Sequence, residues 1–454
     1  MPILNVFDMN LRTLAAVVAA FTVLACSPKD RTIRTPVPPR PAGVEDMIGF
    51  AAEPIENVGI GLVGLGMRGS SAAERLPRVP GCHIAAICDV EPDRVESAAR
   101  KLNEGGVSPN LYSGEEESYK ALCEDPAVDL VYICTDWLHH VPVALYAMQC
   151  GKHVAIEVPS ALTLEDCWAL VDASEKTRRH CMILENCCYD FFELSVLAMA
   201  QAGVFGDVIH VEGAYNHYLA EYWDAYWHSW RLDYNSKHRG DLYPTHGFGP
   251  VCQVLGIHRG DRLQTLVAMD TDSFNGRAFA QARGQEGGNF AAGDVSTTLI
   301  RTAKGKSILI EHDVMTPRPY SRMYQVVGTK GYAGKYPVQQ VLVEAESPHS
   351  PLSAEKLAEY QQKYPSPILT PEFTELAKSV GGHGGMDFIM DYRLMYCLNN
   401  GLPLDMDVYD LAEWCSLIEL SRISMDNGCA PVEVPDFTRG AWMRLDGFRY
   451  AFAE

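Results

Sequence analysis

Positive charge is scarce in this chain. Its 454 residues carry 38 Lys and Arg against 58 Asp and Glu, a formal net charge of −20, and no basic cluster that could neutralise a row of phosphates. Nucleic acid is therefore not an expected partner. Metal-ligand spacing is also missing: there is no C-x-x-C and no His/Cys ligand cluster along the sequence, so no structural zinc is expected. The 14 cysteines fall without paired spacing, which argues against a disulfide framework, and most read as buried apolar thiols. Internal repeats are absent. The apolar run at 14–25, L-A-A-V-V-A-A-F-T-V-L-A, is too short to cross a membrane as a stable helix.

That run has instead the length of a secretory h-region, with Arg12 as its positive flank. It ends in V-L-A-C followed by S-P-K-D, which resembles a bacterial lipoprotein box with Cys26 as the lipidated residue. Leu at the second position before the cysteine is looser than the usual box, so ordinary signal cleavage stays open. Residues 1–26 are thus expected to be a signal segment that sends the protein to the cell envelope, anchored through Cys26 or free in the periplasm. The proline-rich stretch 27–56, with Pro28, Pro36, Pro38, Pro39 and Pro41, reads as a linker.

What is present begins at Val58. The stretch V-G-I-G-L-V-G-L-G-M-R-G has the form of a buried strand entering a glycine turn that opens a helix. Gly64, Gly66 and Gly69 spell G-x-G-x-x-G, the pattern that lets a backbone approach a pyrophosphate at a helix N-terminus. A second strand, H-I-A-A-I-C-D, ends in Asp89, 20 residues beyond the last glycine. A carboxylate there would accept hydrogen bonds from ribose hydroxyls and repel a 2′-phosphate, which favours NAD over NADP. Strand and helix patterns then alternate to about residue 183, with Trp137, His139 and His140 following one strand, Glu157-Val158-Pro159 ending the next, and Asn186 the last.

From residue 187 onward the texture changes to successive strands, as in an open, mainly antiparallel sheet. The expected fold is α/β: a Rossmann domain with a doubly wound parallel sheet over 57–186, then an α+β substrate domain over 187–454. Between two of the later strands lies an aromatic-rich loop, Y-W-D-A-Y-W-H-S-W-R, ending in Arg231. Its rings suit either sugar stacking or core packing.

This organisation resembles the glucose-fructose oxidoreductase and inositol dehydrogenase superfamily. Within it, G-L-G-M-R-G, T-D-W-L-H-H, E-V-P, E-N-C-C-Y, G-D-L-Y-P-T-H-G-F-G-P and H-G-G-M-D-F resemble the family 109 glycoside hydrolases, which are NAD-dependent α-N-acetylgalactosaminidases. The dehydrogenases usually end the relevant strand Glu-Lys-Pro, whereas Val158 stands in the lysine's place here, as in the hydrolase branch. The resemblance implies a redox-neutral cycle on a terminal α-linked N-acetylgalactosamine of a glycan or glycoside. C3 is oxidised, the C2 proton is removed, the C1 oxygen leaves by elimination, water adds back, and C3 is reduced. Such a cycle lies outside the two-carboxylate route and would keep its NAD bound.

For the chemistry, the resemblance implies His246 as a proton acceptor and donor, with Tyr189 as either the C2 base or an acid partner. Tyr215, Arg231, Tyr243, His246 and Tyr320 are implied as substrate contacts, with Tyr324 a rival to Tyr320. Gly64, Gly66, Met67, Arg68, Gly69, Asp89, Trp137, His140, Glu157, Val158 and Asn186 are implied around the cofactor. A sugar dehydrogenase or epimerase of the same superfamily, which would release NADH, is the alternative, and a non-catalytic NAD-binding protein a further one. Homodimers are common in the superfamily, so one is possible here.

Overall fold

The computed structural model describes residues 31–284 and 289–453, so the signal-segment reading and Cys26 lie outside the described residues. Val58–Val63 (β1) is buried along its whole length, as a central strand covered on both faces must be. With Cys82–Asp89 (β2), Asn110–Ser113 (β3), Leu130–Ile133 (β4), His153–Ile156 (β5) and Cys181–Ile183 (β6), it forms a parallel sheet ordered β3-β2-β1-β4-β5-β6. Strand order reverses between β1 and β4, which places a crevice at the carboxyl ends of these strands. Some helices begin at side-chain caps. Thr163, for example, accepts the Asp166 N–H at 3.0 Å and starts Leu164–Thr177.

The second sheet holds Val208–Asn216 (β7), Leu263–Asp270 (β8), Val295–Thr302 (β9), Ser307–Asp313 (β10), Gln325–Gly328 (β11), Gly331–Gly334 (β12), Gln340–Val343 (β13) and Val432–Glu433 (β14). Its order is β13-β12-β11-β7-β10-β9-β8-β14, antiparallel except between β7 and β10. Buried and exposed residues alternate along β9, the mark of a sheet covered on one face. The helix Thr245–Leu255 lies on β7 so closely that a Cβ on Gly213 would stand 2.2 Å from the Gly247 carbonyl oxygen. That contact seats His246 against the sheet. The cysteines among the described residues are all unpaired, and all but Cys82, Cys150 and Cys429 are buried.

The stretch read as a linker is not a free tether. Residues 31–56 run across both domains: Ile33 bridges Val432, Met47 is buried, and Ile55 donates its N–H to the Leu398 carbonyl at 3.0 Å. Arg40 makes two 2.9 Å hydrogen bonds to the fully buried Glu175, which also accepts Arg439 at 2.8 Å and the Tyr409 hydroxyl at 2.6 Å. Prolines limit the segment to extended backbone, and here that backbone binds the surface instead of spanning solvent. Removing one partner of a buried ion pair leaves the others desolvated and uncompensated. Glu175→Ala should therefore destabilise the fold by about 3–5 kcal/mol, read as a lowered melting temperature and denaturation midpoint. An unchanged midpoint would show that the strap contributes nothing.

Candidate active site

The glycine turn works as its spacing requires. A Cβ on Gly69 would lie 1.7 Å from the Gly64 carbonyl oxygen, so only glycine permits this packing of helix on turn. A Cβ on Gly66 would meet no atom within 4 Å; it would project into a cleft of about 810 Å³ that Gly64, Gly66, Arg68, Asp89 and Thr135 help to line. The helix Met67–Arg75 starts there with no acidic residue in its first turn, leaving its N-terminal dipole free to face an anion. Asp89 closes the far side, its carboxylate accepting the N–H groups of Leu65 at 2.6 Å and Glu91 at 2.9 Å. An open cradle above a helix N-terminus, with a carboxylate at the end of β2, fits a dinucleotide.

His140 lies behind the cleft wall. Its ring is buried, with nitrogens 2.9 Å from the Pro159 carbonyl and 3.2 Å from that of Thr135, and burial lowers its pKa. It ties two loops together beneath the cleft, and His139 is the histidine on the wall. A hydrogen bond to Asp136 raises the His139 pKa to about 9. Sequence order could not tell which of two adjacent histidines faces the opening.

Deeper in, the carboxyl ends of β4, β5 and β6 carry a network that the linear motifs only hint at. Arg68 donates to Glu157 at 2.7 Å and 2.9 Å and to Asp387 at 3.1 Å. Asn186 donates to Asp387 at 2.6 Å. Burial alone would raise the pKa of Asp387, but the His383 hydrogen bond and the charges of Arg68 and Arg75 hold it well below the usual carboxylate range. His383 itself sits in a run of left-handed backbone, with φ of +86°, +78°, +46°, +73° and +112° from Gly381 to Gly385. This conformation is costly for histidine. Its Nδ1 lies 2.9 Å from Asp387, while 55% of the side chain stays exposed.

The expected substrate residues converge. His246 and Tyr243 have ring centroids 5.0 Å apart, Tyr215 and Tyr243 4.6 Å, and Tyr215 and His246 5.4 Å. Arg231 is buried over the Tyr243 ring at 4.3 Å and the Trp137 ring at 5.1 Å, and donates to the Tyr226 hydroxyl at 2.7 Å. No ion pair to a carboxylate forms at Arg231 among the described residues. Burial and the Arg231 charge push His217 down to about 4 and His312 to about 3, so both stay neutral beside it. His217 links Tyr215, 2.9 Å from its Nδ1, to Tyr320, edge-on at 5.0 Å. Tyr320 is 41% exposed, whereas Tyr324 is buried with its hydroxyl on the Glu193 carbonyl. Tyr320 thus belongs to the cluster and Tyr324 to the core.

Tyr189 is also core. It is 1% exposed, its hydroxyl donates to Asp405 at 3.1 Å, and burial together with Asp405 raises its pKa well above normal. A phenol so placed cannot serve as a base in the cleft. Cys187, two residues earlier, is the one whose side chain turns toward His246. Sequence reading also missed Glu185, whose Oε1 lies 2.7 Å from His246 Nδ1. Burial would raise the pKa of Glu185, yet His246, the Thr245 hydroxyl and the Cys187 N–H keep it lowered. Its place at the end of β6, in E-N-C-C-Y, was the available signal.

Comparison with known proteins matches two parts of the chain. Residues 189–444 match the family model "Glycosyl hydrolase 109, C-terminal domain", and residues 58–184 match "Oxidoreductase family, NAD-binding Rossmann fold". "Glycosyl hydrolase family 109 protein 1" of Bacteroides thetaiotaomicron is 56% identical over 437 residues, covering 93% of each chain. The protein of the same name from Phocaeicola vulgatus is 52% identical, covering 98% of this chain and 99% of its own. Among solved structures, levoglucosan dehydrogenase in complex with NADH and L-sorbose aligns with TM-score 0.63 at 20% identity, over 84% of this chain and all of its own. Aldose-aldose oxidoreductase from Caulobacter crescentus aligns with TM-score 0.61 at 18% identity, over 83% and 99%. These two likenesses show a shared fold.

The two glycines separate binding from folding. Gly66→Ala should melt at the parent temperature yet bind NAD at least about tenfold more weakly, because the methyl fills only the cradle. Gly69→Ala should lose both stability and NAD affinity. Titration calorimetry and thermal melting read the two effects, and undiminished NAD affinity in Gly66→Ala would place the dinucleotide elsewhere.

Proposed function

Because the chain belongs to glycosyl hydrolase family 109, we propose that it removes terminal α-linked N-acetylgalactosamine through the redox-neutral, NAD-dependent cycle described above. The observation that carries this reading is what the carboxylates are doing. A conventional glycosidase needs two carboxyl groups facing the scissile bond. Here Glu157 is held by Arg68, Glu185 by His246, and Asp387 by Arg68, Asn186 and His383. Acid–base work at the cleft falls to the histidines these carboxylates back.

Bound NAD supplies a reversible hydride acceptor. His246, oriented through Nδ1 by Glu185, takes the proton of a sugar hydroxyl through its other nitrogen and returns it, the division of labour of a buried carboxylate–histidine pair. The second acid–base role is assigned to His383, with Nδ1 on Asp387 and much of its ring exposed. Arg231, buried without a carboxylate partner among the described residues, offers its charge to oxygen that becomes negative during elimination. Tyr215, Tyr243 and Tyr320 hold the sugar as neutral phenols; burial puts Tyr215 at about 12. The cofactor stays bound between turnovers, and export with a lipid at Cys26 is part of the same proposal.

Purified protein given a nitrophenyl α-N-acetylgalactosaminide should release nitrophenol with no net NADH. NADH accumulation from free sugar without nitrophenol release would favour a dehydrogenase and end this reading. Within it, His246→Ala should slow turnover by about 10²–10⁴-fold with NAD still bound. Tyr189→Phe should keep near-parental turnover and lose only about 1 kcal/mol of stability. Large loss of rate in Tyr189→Phe would return that hydroxyl to the mechanism.

A further inference from the structure

Glu185, Cys187 and His246 meet in a way that their sequence positions do not suggest. A carboxylate oxygen, a thiol sulfur and an imidazole nitrogen from the three all lie within 4.8 Å of one another. Glu185 and Cys187 are buried to 1% exposure or less. Glu185 divides its oxygens: Oε1 takes His246 Nδ1 and the Cys187 N–H at 3.1 Å, while buried Oε2 makes no well-formed hydrogen bond among the described residues, the Thr245 hydroxyl being the donor close to this carboxylate. The Cys187 sulfur has only the Asn186 side-chain oxygen, at 3.4 Å.

We propose that Glu185, Cys187 and His246 form a capture site for a thiophilic divalent cation such as Zn²⁺. Sulfur, nitrogen and carboxylate oxygen are the zinc donor set, bonding at about 2.3, 2.0 and 2.1 Å in tetrahedral array. A tetrahedral pair of such N and O ligands stands about 3.4 Å apart, so Glu185 and His246 need to part only slightly from 2.7 Å. On binding, the Cys187 thiol proton leaves to solvent. If His246 ligates through Nδ1, that proton moves to Nε2, and the imidazole is neutral as before. Glutamate and thiolate together balance the ion, so no net charge is buried. The three ligands leave a fourth position for water or a sugar hydroxyl, and the thiolate selects against Mg²⁺ and Ca²⁺, which take oxygen ligands. Zinc held here removes His246 from proton transfer and so switches the site off. That consequence rests on the proposed role of His246; the binding does not.

The test uses tag-free full-length protein. Equilibrium dialysis should find a zinc site that Cys187→Ser weakens by about 10–100-fold or more. Co²⁺ should give a near-ultraviolet thiolate-to-metal charge-transfer band, absent in both Cys187→Ser and Cys187→Ala, with thermal melts confirming that each variant is folded. In parallel, Zn²⁺ should abolish glycoside turnover reversibly on addition of EDTA while Mg²⁺ has no effect, and each cysteine variant should resist Zn²⁺ relative to its own metal-free rate. A cobalt complex without the band, or equal zinc affinity in the cysteine variants, overturns the proposal. Absence of glycoside turnover in the parent would instead count against the proposed function, with the cobalt spectrum still deciding the metal site.

Discussion

The Asp387 carboxylate is where the two domains become one site. It is fully buried, and a charge so placed persists only if every oxygen is satisfied. Its partners come from three places: Arg68 and Arg75 from the first helix, Asn186 from the end of β6, and His383 from the glycine turn just before its own helix Met386–Asn400. Those bonds hold the nucleotide-binding turn, the last Rossmann strand and the late helix in one arrangement. Arg68 then passes the constraint to Glu157, so the E-V-P strand end is fixed by the same group. Without this carboxylate the glycine turn would still form, but the residues deeper in the cleft would have no common reference.

The chemistry of the cleft follows from how its acids are spent. Glu157, Glu185 and Asp387 are each engaged with a cation or an imidazole. What is presented outward is histidine, phenol and one buried arginine. Arg231 is enclosed by Trp137, Tyr215, Tyr226 and Tyr243, which stabilise a cation through their ring faces without neutralising it. Burial, reinforced by its charge, keeps His217 and His312 uncharged. A site with a fixed positive charge, neutral phenols and carboxylate-backed imidazoles suits chemistry that develops negative charge on oxygen.

Much of the frame was legible along the chain. The doubly wound sheet followed from alternating apolar strands and amphipathic helices, and the cradle from Gly64, Gly66 and Gly69, because local conformational limits act over a few residues. His246, Tyr243, Tyr215 and Arg231 were legible through motif resemblance and do converge. What residue order could not give is the direction of a side chain, which is set by what packs on it. His140 points down and His139 toward the cleft, though they are neighbours. Tyr189 points into the core and Cys187 toward His246, though they share one turn. The prolines at 36–41 were read as a tether because composition reports stiffness but not the surface, here Glu175 and Tyr409, that the stiff segment lies on.

The sequence by itself determined the two-domain α/β architecture, the dinucleotide-binding turn and the family, since each rests on residue types at short, regular spacing. Only the tertiary structure decided which carboxylate backs which histidine. Glu185 and His246 are 61 positions apart, and Arg68 and Asp387 are 319 apart. Such pairs form because burying a charge without a partner is too costly, and that condition applies only after the domains have packed.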